Sequence, residues 1–263
     1  MIYEKQTGVP RFESREYADR QREYVLLIPV INEGERIKRE LLRAKEARIF
    51  DWVDIVICDG GSTDGSLEDE QLRKLEVNAL LVKQDEGKQG AQLRMGIWWA
   101  LKREYQGVLT IDGNNKDSIE DIPKFIEKLK AGYALVQGSR FIAGGKAINT
   151  PVVRYAAVRL IHAPIISLTA GQHFTDTTNA FRAYSRKYLE DPRVQPLRDV
   201  FMSYELLAYL SVRATQLGMR ACEVPVRREY PLHGKPPTKI SPWRGNTNLI
   251  MILFRNLIGK YNP

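Results

Sequence analysis

Apolar residues fall in short runs separated by polar turns along most of the chain. Residues 24–30 (YVLLIPV) and 54–58 (DIVIC) are rich in β-branched side chains and read as strands. Between them, residues 37–47 carry apolar positions at helical spacing, which makes a β-α-β unit. Strand-like runs recur at 79–82, 107–111 and 134–138, with helical patterns over 89–105 and 119–130. This alternation predicts an α/β fold, a doubly wound and mostly parallel sheet flanked by helices. Ligands of such sheets bind beyond the carboxyl ends of the strands, so chemistry is expected just after Val30, Cys58 and Ile111.

The remainder predicts a helix over 152–168, a strand over 180–184, a helix over 203–217 and a strand over 220–227. No Gly-, Pro- or Ser-rich linker divides the chain, so one domain is expected over 24–240. Residues 1–23 carry charges at nearly every second position without an apolar stripe and read as an N-terminal arm. The Pro-rich stretch 231–242 has the composition of a surface loop able to close over a ligand. Residues 241–263 read as a C-terminal helix. Its apolar run, 248–258, suits either a membrane headgroup region or docking on the core. No stretch reaches the roughly 20 apolar residues that span a bilayer, and the start of the chain is too polar for a signal peptide. A cytoplasmic protein, peripheral to a membrane at most, is therefore expected.

The 263 residues are 43% hydrophobic and 27% charged, enough apolar material for a full core, and a formal net charge of +8 predicts an anionic ligand or surface. The basic residues are dispersed and form no nucleic-acid-binding module, so nucleic acid is not an expected partner. Cys58 and Cys222 lack metal-type spacing and read as reduced thiols. His162, His173 and His233 show no ligand pattern either.

Three strand ends close in polar clusters: Pro29 to Glu33, Asp59 to Gly65, and Asp112 to Asn115. Each alone suits a turn, and Ser62, Thr63 and Asp64 suit a helix cap before Ser66. At successive strand ends, their carboxylates could also bind a base and ribose, with glycines allowing close backbone approach. The chain carries neither G-x-G-x-x-G nor G-x-x-x-x-G-K-[ST], which argues against a Rossmann dehydrogenase or a P-loop enzyme.

The motifs LIPVINEGERI, CDGGSTDGS, EGKQGAQLRMG and TIDGNN resemble, in order and spacing, those of family 2 glycosyltransferases of the GT-A fold. QGSRF, DTTNAFRAYSR and EVPVRREYPLHGK resemble the segments that follow in dolichyl-phosphate mannose synthase and bacterial polyprenyl-phosphate glycosyltransferases. The resemblance implies an inverting, hexosyltransferase-like enzyme of cell-envelope glycan synthesis that takes a UDP- or GDP-linked sugar. By carry-over, Pro29, Asn32, Glu33 and Asp59 hold the base and ribose. Lys88 lies beside the nucleotide, and Asp112, Gly113, Asn114 and Lys116 face the diphosphate. Asp112 and Asn114 are the implied ligands of Mg2+ or Mn2+, which would offset charge on the departing diphosphate.

The chain departs from the family pattern at Ile31, where the family has Tyr, and at Asn114, where it has a second Asp. Lys116 stands where a metal-binding Gln is frequent. Either Asp117 completes the metal site, or the Lys116 ammonium supplies part of the charge, or Lys116 simply pairs with Asp112 or Asp117. Arg140 and Arg154 match two arginines that bind the acceptor phosphate in relatives of dolichyl-phosphate mannose synthase, but Val158 replaces a nearby Ser. Arg182 joins them as a candidate anion ligand, and Arg228 and Lys239 resemble the basic residues that reach the diphosphate. A polyprenyl phosphate acceptor is already an anion and needs no base. A sugar hydroxyl needs one, and Asp176 is the candidate, with the competing role of orienting Arg or Asn groups. The departures at Asn114 and Lys116 also leave open a homologue that binds nucleotide sugar without turnover.

Overall fold

The computed structural model describes residues 1–4, 6–232 and 244–263. Its centre is a sheet in which β5 (Ala79–Lys83), β4 (Asp54–Asp59), β3 (Tyr24–Val30) and β6 (Gly107–Thr110) lie side by side and parallel. Next to β6 comes β9 (Arg182–Ser185), antiparallel to it, then β7 (Leu135–Ser139) and β10 (Ala221–Pro225), which run parallel to each other.

The continuous apolar runs of β3 and β4 follow from burial on both faces. Val25, Leu27, Val56 and Cys58 face one core, while Leu26, Ile28, Ile55 and Ile57 face the other. The second core is closed by Ile37, Leu41 and Ala44 of α1 (Glu35–Glu46) and by Phe125, Ile126 and Leu129 of α4 (Ile122–Lys130), with Leu72 of α2 (Asp69–Lys74) at its edge. The first core is closed by α3 (Gln89–Lys102), α8 (Glu205–Gln216) and α9 (Arg244–Leu257). Gly96 lets α3 sit tightly on the sheet: a Cβ there would meet Cys58 Sγ at 2.6 Å.

Residues 1–23 are not a loose arm. β1 (Ile2–Tyr3) pairs with β2 (Phe12–Glu16), and β2 extends the central sheet antiparallel to β5. Val9 and Phe12 are fully buried, and Phe12 stacks on Tyr3 with ring centroids 4.8 Å apart. The strand is hard to see in the sequence because only its inward positions, Phe12 and Ser14, are apolar or small; the outward ones are charged.

The helix expected over 152–168 spans Val152–Ala170. It is built of α5 (Val152–Ala157), one wide π-helical turn over Val158–His162, and α6 (Ala163–Ala170). By length and composition this helix is long enough to cross a membrane, which the apolar count along the sequence does not anticipate. Its inner side, Ile166 and Ala170, packs on the first core, against α8 and α9. Two shorter pieces complete the chain: α7 (Arg186–Leu189), and β8 (Lys146–Ile148) paired with β11 (Arg227–Glu229). The second strand expected over 220–227 thus divides between two sheets.

Candidate active site

The carboxyl ends of β3, β4 and β6 converge on one side of the sheet, and the loops they feed brace each other. Asp59 ends β4 almost fully buried and accepts hydrogen bonds from the Ser62 backbone N–H (3.0 Å) and hydroxyl (2.6 Å). Ser62 Oγ accepts from Asn32 N (3.0 Å), and Asn32 Oδ1 accepts from Thr63 N (2.8 Å). Asp64 receives Gly34 N and the Ser66 hydroxyl, while α2 begins only at Asp69, so these residues tie two loops together instead of capping a helix at Ser66. Gln92 of α3 donates to both Val30 O and Cys58 O at 2.7 Å, a buried clamp across the β3 and β4 ends. Glu33 is held by Arg36 at 2.7 Å, and Lys88 stands exposed at the start of α3.

Beyond β6 lies a dense group of charges. Asp112 Oδ1 accepts from Gln89 Nε2 (2.9 Å) and Oδ2 from Arg228 Nη2 (3.2 Å). Arg228, buried on the segment β11, also donates through Nη1 to Asp117. Burial opposes ionisation of Asp112, but Arg228, Lys116 and the hydrogen bonds more than offset it and hold its carboxyl below the usual range. Asp117 is deeper, and burial, reinforced by Asp112, pushes its carboxyl up despite Arg228. Burial and the neighbouring Arg228 bring Lys116 down to about 8. The Lys116 ammonium lies 5.0 Å from the centre of the Tyr230 ring.

Tyr230 links this group to the next. Its hydroxyl accepts from Arg154 Nη1 at 3.0 Å. Burial alone would raise the phenol, yet Arg228, Arg154 and Lys116 lower it to about 8. Arg140 is close enough to Arg228 and Tyr230 to feel their charge. It forms a buried pair with Asp176 (2.6 and 2.9 Å) and bonds Thr178 Oγ1 at 3.0 Å, leaving Nη1 buried without a hydrogen-bond partner.

A model of the family "Glycosyl transferase family 2" matches residues 25–192. The chain belongs to this family. Among its relatives, the undecaprenyl-phosphate mannosyltransferase of Micrococcus luteus is 28% identical over 203 residues, 76% of this chain and 81% of that protein. The polyprenol monophosphomannose synthase of Mycolicibacterium smegmatis is 27% identical over 206 residues, 77% of this chain and 76% of the relative. Among solved structures, glucosyl-3-phosphoglycerate synthase from Mycobacterium tuberculosis in complex with Mn2+, uridine diphosphate and glucosyl-3-phosphoglycerate superposes with a TM-score of 0.60. That superposition covers 90% of this chain and 80% of that one at 13% identity, a likeness of fold. The protein is a nucleotide-sugar glycosyltransferase of the GT-A fold.

In this family 2 enzyme the residues expected on the donor side fall at three strand ends: Pro29 and Asp59 are in the last residues of β3 and β4, Asn32, Glu33, Asp112, Gly113, Asn114 and Lys116 are on the loops that follow β3 and β6, and Lys88 is at the adjoining helix start. Arg140, Arg154 and Arg228 gather around Tyr230. Two expectations need correction. Arg182 is 2% exposed and spends four of its N–H groups on Asn179 O (3.0 Å), Thr177 O (2.9 Å), Leu207 O and Ser211 Oγ (2.7 Å), so it is a clamp within the core. Asp176 is 0% exposed, and its oxygens receive Arg140, Asn179 and the Thr178 N–H. A carboxylate so enclosed is engaged by Arg140 and Asn179, which is the orienting arrangement and not that of an open proton acceptor. Lys239 lies outside the described residues.

Tyr230, Gln89, Gln92 and Glu40 belong to the site without a chemical signature in the sequence. Glu40 had a positional one: it sits between Ile37 and Leu41 on the buried stripe of α1. Its Oε2 receives Asn115 N at 2.9 Å, and burial pushes its carboxyl well above the usual range.

For a divalent cation the fit rests on Asn114, whose Oδ1 is buried with no hydrogen-bond partner, beside Asp112. Among the described residues no group of three His, Cys, Asp or Glu could hold a metal unaided. Two protein oxygens suit Mg2+ or Mn2+ when substrate phosphates and water complete the shell.

Proposed function

We propose that this glycosyltransferase moves a sugar from a nucleoside diphosphate to a polyprenyl phosphate at a membrane surface, inverting the anomeric carbon. The observation that carries the choice of acceptor is the state of Asp176. The carboxylate that a hydroxyl acceptor needs as proton acceptor is buried in an ion pair with Arg140. A phosphate acceptor needs no base, because its oxygen is already an anion at neutral pH. The cationic groups around Tyr230 suit such an acceptor: Arg154 and the unpartnered Nη1 of Arg140 offer donors to phosphate oxygens. The names of the two relatives above support the same reading.

In the proposed reaction an acceptor phosphate oxygen forms a bond to the anomeric carbon from the face opposite the diphosphate. The bond from that carbon to the diphosphate oxygen breaks, and its electron pair leaves with the nucleoside diphosphate. Asp59, Asn32 and Glu33 line the base and ribose end, and Lys88 flanks the phosphates. Arg228 and Lys116 neutralise charge that builds on the leaving group, preorganised in a water-poor setting. A Mg2+ or Mn2+ ion held by Asp112 and Asn114 would add to that neutralisation. Lys239 is proposed as a further cation for the diphosphate.

The test is an assay of the purified chain with UDP- and GDP-linked hexoses and a short-chain polyprenyl phosphate, with products read by mass spectrometry. A glycosyl phosphoprenol whose formation needs a divalent cation is the expected result. Donor binding with transfer only to a hydroxyl acceptor, or with no transfer, would overturn it.

A further inference from the structure

The short strand β11 and the residue that follows it run between the two halves of the site. On one side the Ser118 N–H donates to Arg227 O (2.9 Å) and the Glu229 N–H to Lys116 O (2.8 Å), which ties β11 to the loop after β6. On the other side the Tyr230 N–H donates to Ile148 O (3.1 Å) and Asn149 Nδ2 to Tyr230 O (3.2 Å), which ties it to the segment leading into the Val152–Ala170 helix. The backbone is thus held from both sides, and Tyr230 is 2% exposed.

Three cations from three separate parts of the chain surround the Tyr230 ring. The Lys116 ammonium lies 5.0 Å from the ring centre, and the guanidinium carbons of Arg154 and Arg228 lie at 5.6 and 5.9 Å. Like charges so close repel, and the electron-rich face of an aromatic ring counters that repulsion. The hydroxyl adds a directed contact, since it accepts from Arg154 Nη1 at 3.0 Å. Arg228 is paired with two carboxylates, but among the described residues no carboxylate lies at salt-bridge distance from Arg154. The Tyr230 hydroxyl is therefore the acceptor that sets the direction of that guanidinium. A phenylalanine would fill nearly the same volume, so packing alone does not account for the hydroxyl.

We infer that Tyr230 is a positioning residue whose two parts serve the two substrates: its ring holds Lys116 and Arg228 toward the donor diphosphate, and its hydroxyl holds Arg154 toward the acceptor phosphate. This assignment rests on the polyprenyl-phosphate reading above. Tyr230 acts through the cations and not on the reacting atoms. A shared mount of this kind fixes the spacing of two anions that must meet at one anomeric carbon although their charges keep them apart in water.

Two variants separate the parts. Tyr230→Phe keeps the ring and should raise KM for a short-chain polyprenyl phosphate about tenfold, with kcat and the affinity for UDP or GDP within about twofold of wild type. Tyr230→Leu removes the ring as well, and should also weaken binding of UDP or GDP in calorimetry by about fivefold or more. The effects of Tyr230→Phe and Arg154→Met on KM should not add, because both break the same contact. An unchanged KM in Tyr230→Phe, additive effects in that pair, or equal nucleotide affinity in Tyr230→Phe and Tyr230→Leu would each overturn the inference. So would a lower melting temperature in both variants with KM and nucleotide affinity unaltered, the mark of a packing role alone. Should Tyr230→Leu fail to fold, the pairing of Tyr230→Phe with Arg154→Met decides. Nucleotide binding needs no acceptor, so the comparison of Tyr230→Phe with Tyr230→Leu still judges the ring if the wild type fails to use polyprenyl phosphate. Transfer by the wild type with both variants unaltered would sink this inference and leave the polyprenyl-phosphate reading standing.

Discussion

Arg140, Arg182 and Arg228 are almost equally buried, at 3%, 2% and 5% exposed, and their surroundings give them different parts to play. Arg182 is satisfied by carbonyls and a hydroxyl, Arg140 by one carboxylate and a hydroxyl with its Nη1 to spare, and Arg228 by two carboxylates. Sequence spacing treats all three as candidate anion ligands, since an arginine's partners lie far along the chain and only the fold reveals them. Asp176 was legible as a special carboxylate, but the choice between accepting a proton and orienting an arginine or asparagine depends on partners that only the fold brings to it. Asp176→Asn leaves Arg140 a buried, poorly compensated charge, which should cost about 3–5 kcal/mol of stability in a urea titration. Were Asp176 the proton acceptor instead, activity would vanish with the unfolding midpoint unchanged. Arg228→Ala removes the shared counter-ion of Asp112 and Asp117. Their mutual repulsion should then raise both carboxyls, and affinity for the nucleoside diphosphate should fall at least about tenfold by calorimetry. Lys116→Gln should weaken donor binding less than Arg228→Ala does, since Arg228 bonds both Asp112 and Asp117 and its loss frees two carboxylates at once.

At the scale of elements, the β-α-β alternation is the clearest signal in the chain. Strands buried on both faces declare themselves as unbroken apolar runs, and β3 coincides with the run 24–30. Edge strands do not, because half of their side chains meet water. That is why β2, with outward Glu13 and Arg15, reads as an arm. Phe12→Ala discriminates between an arm and a sheet edge. Phe12 is fully buried against Tyr3 and Trp98, so its truncation should cost about 3–5 kcal/mol by chemical denaturation. A dispensable arm would show almost none of that loss.

Across the whole molecule, the loops proposed to hold the nucleotide come from the parallel strands of the N-terminal half, while Arg140, Arg154 and Arg228 come from the half that follows. Strand β9, inserted antiparallel between β6 and β7, joins the halves into one sheet, so the proposed donor and acceptor sides share one floor. The basic net charge acts at this scale too. If the enzyme works at a membrane surface as proposed, its association with anionic vesicles should weaken as salt is raised.

The wide turn at Val158–His162 makes one helix serve two surfaces. A π-helical turn accommodates one more residue than an α-helical one, so everything N-terminal to it is rotated by about 100° relative to a regular helix. Deleting a single residue there would restore the regular repeat and swing Arg154 away from Tyr230 while leaving Leu168 in place. The extra residue is therefore the joint that lets one helix keep a guanidinium on a phenol at its start and an apolar side against the core at its end.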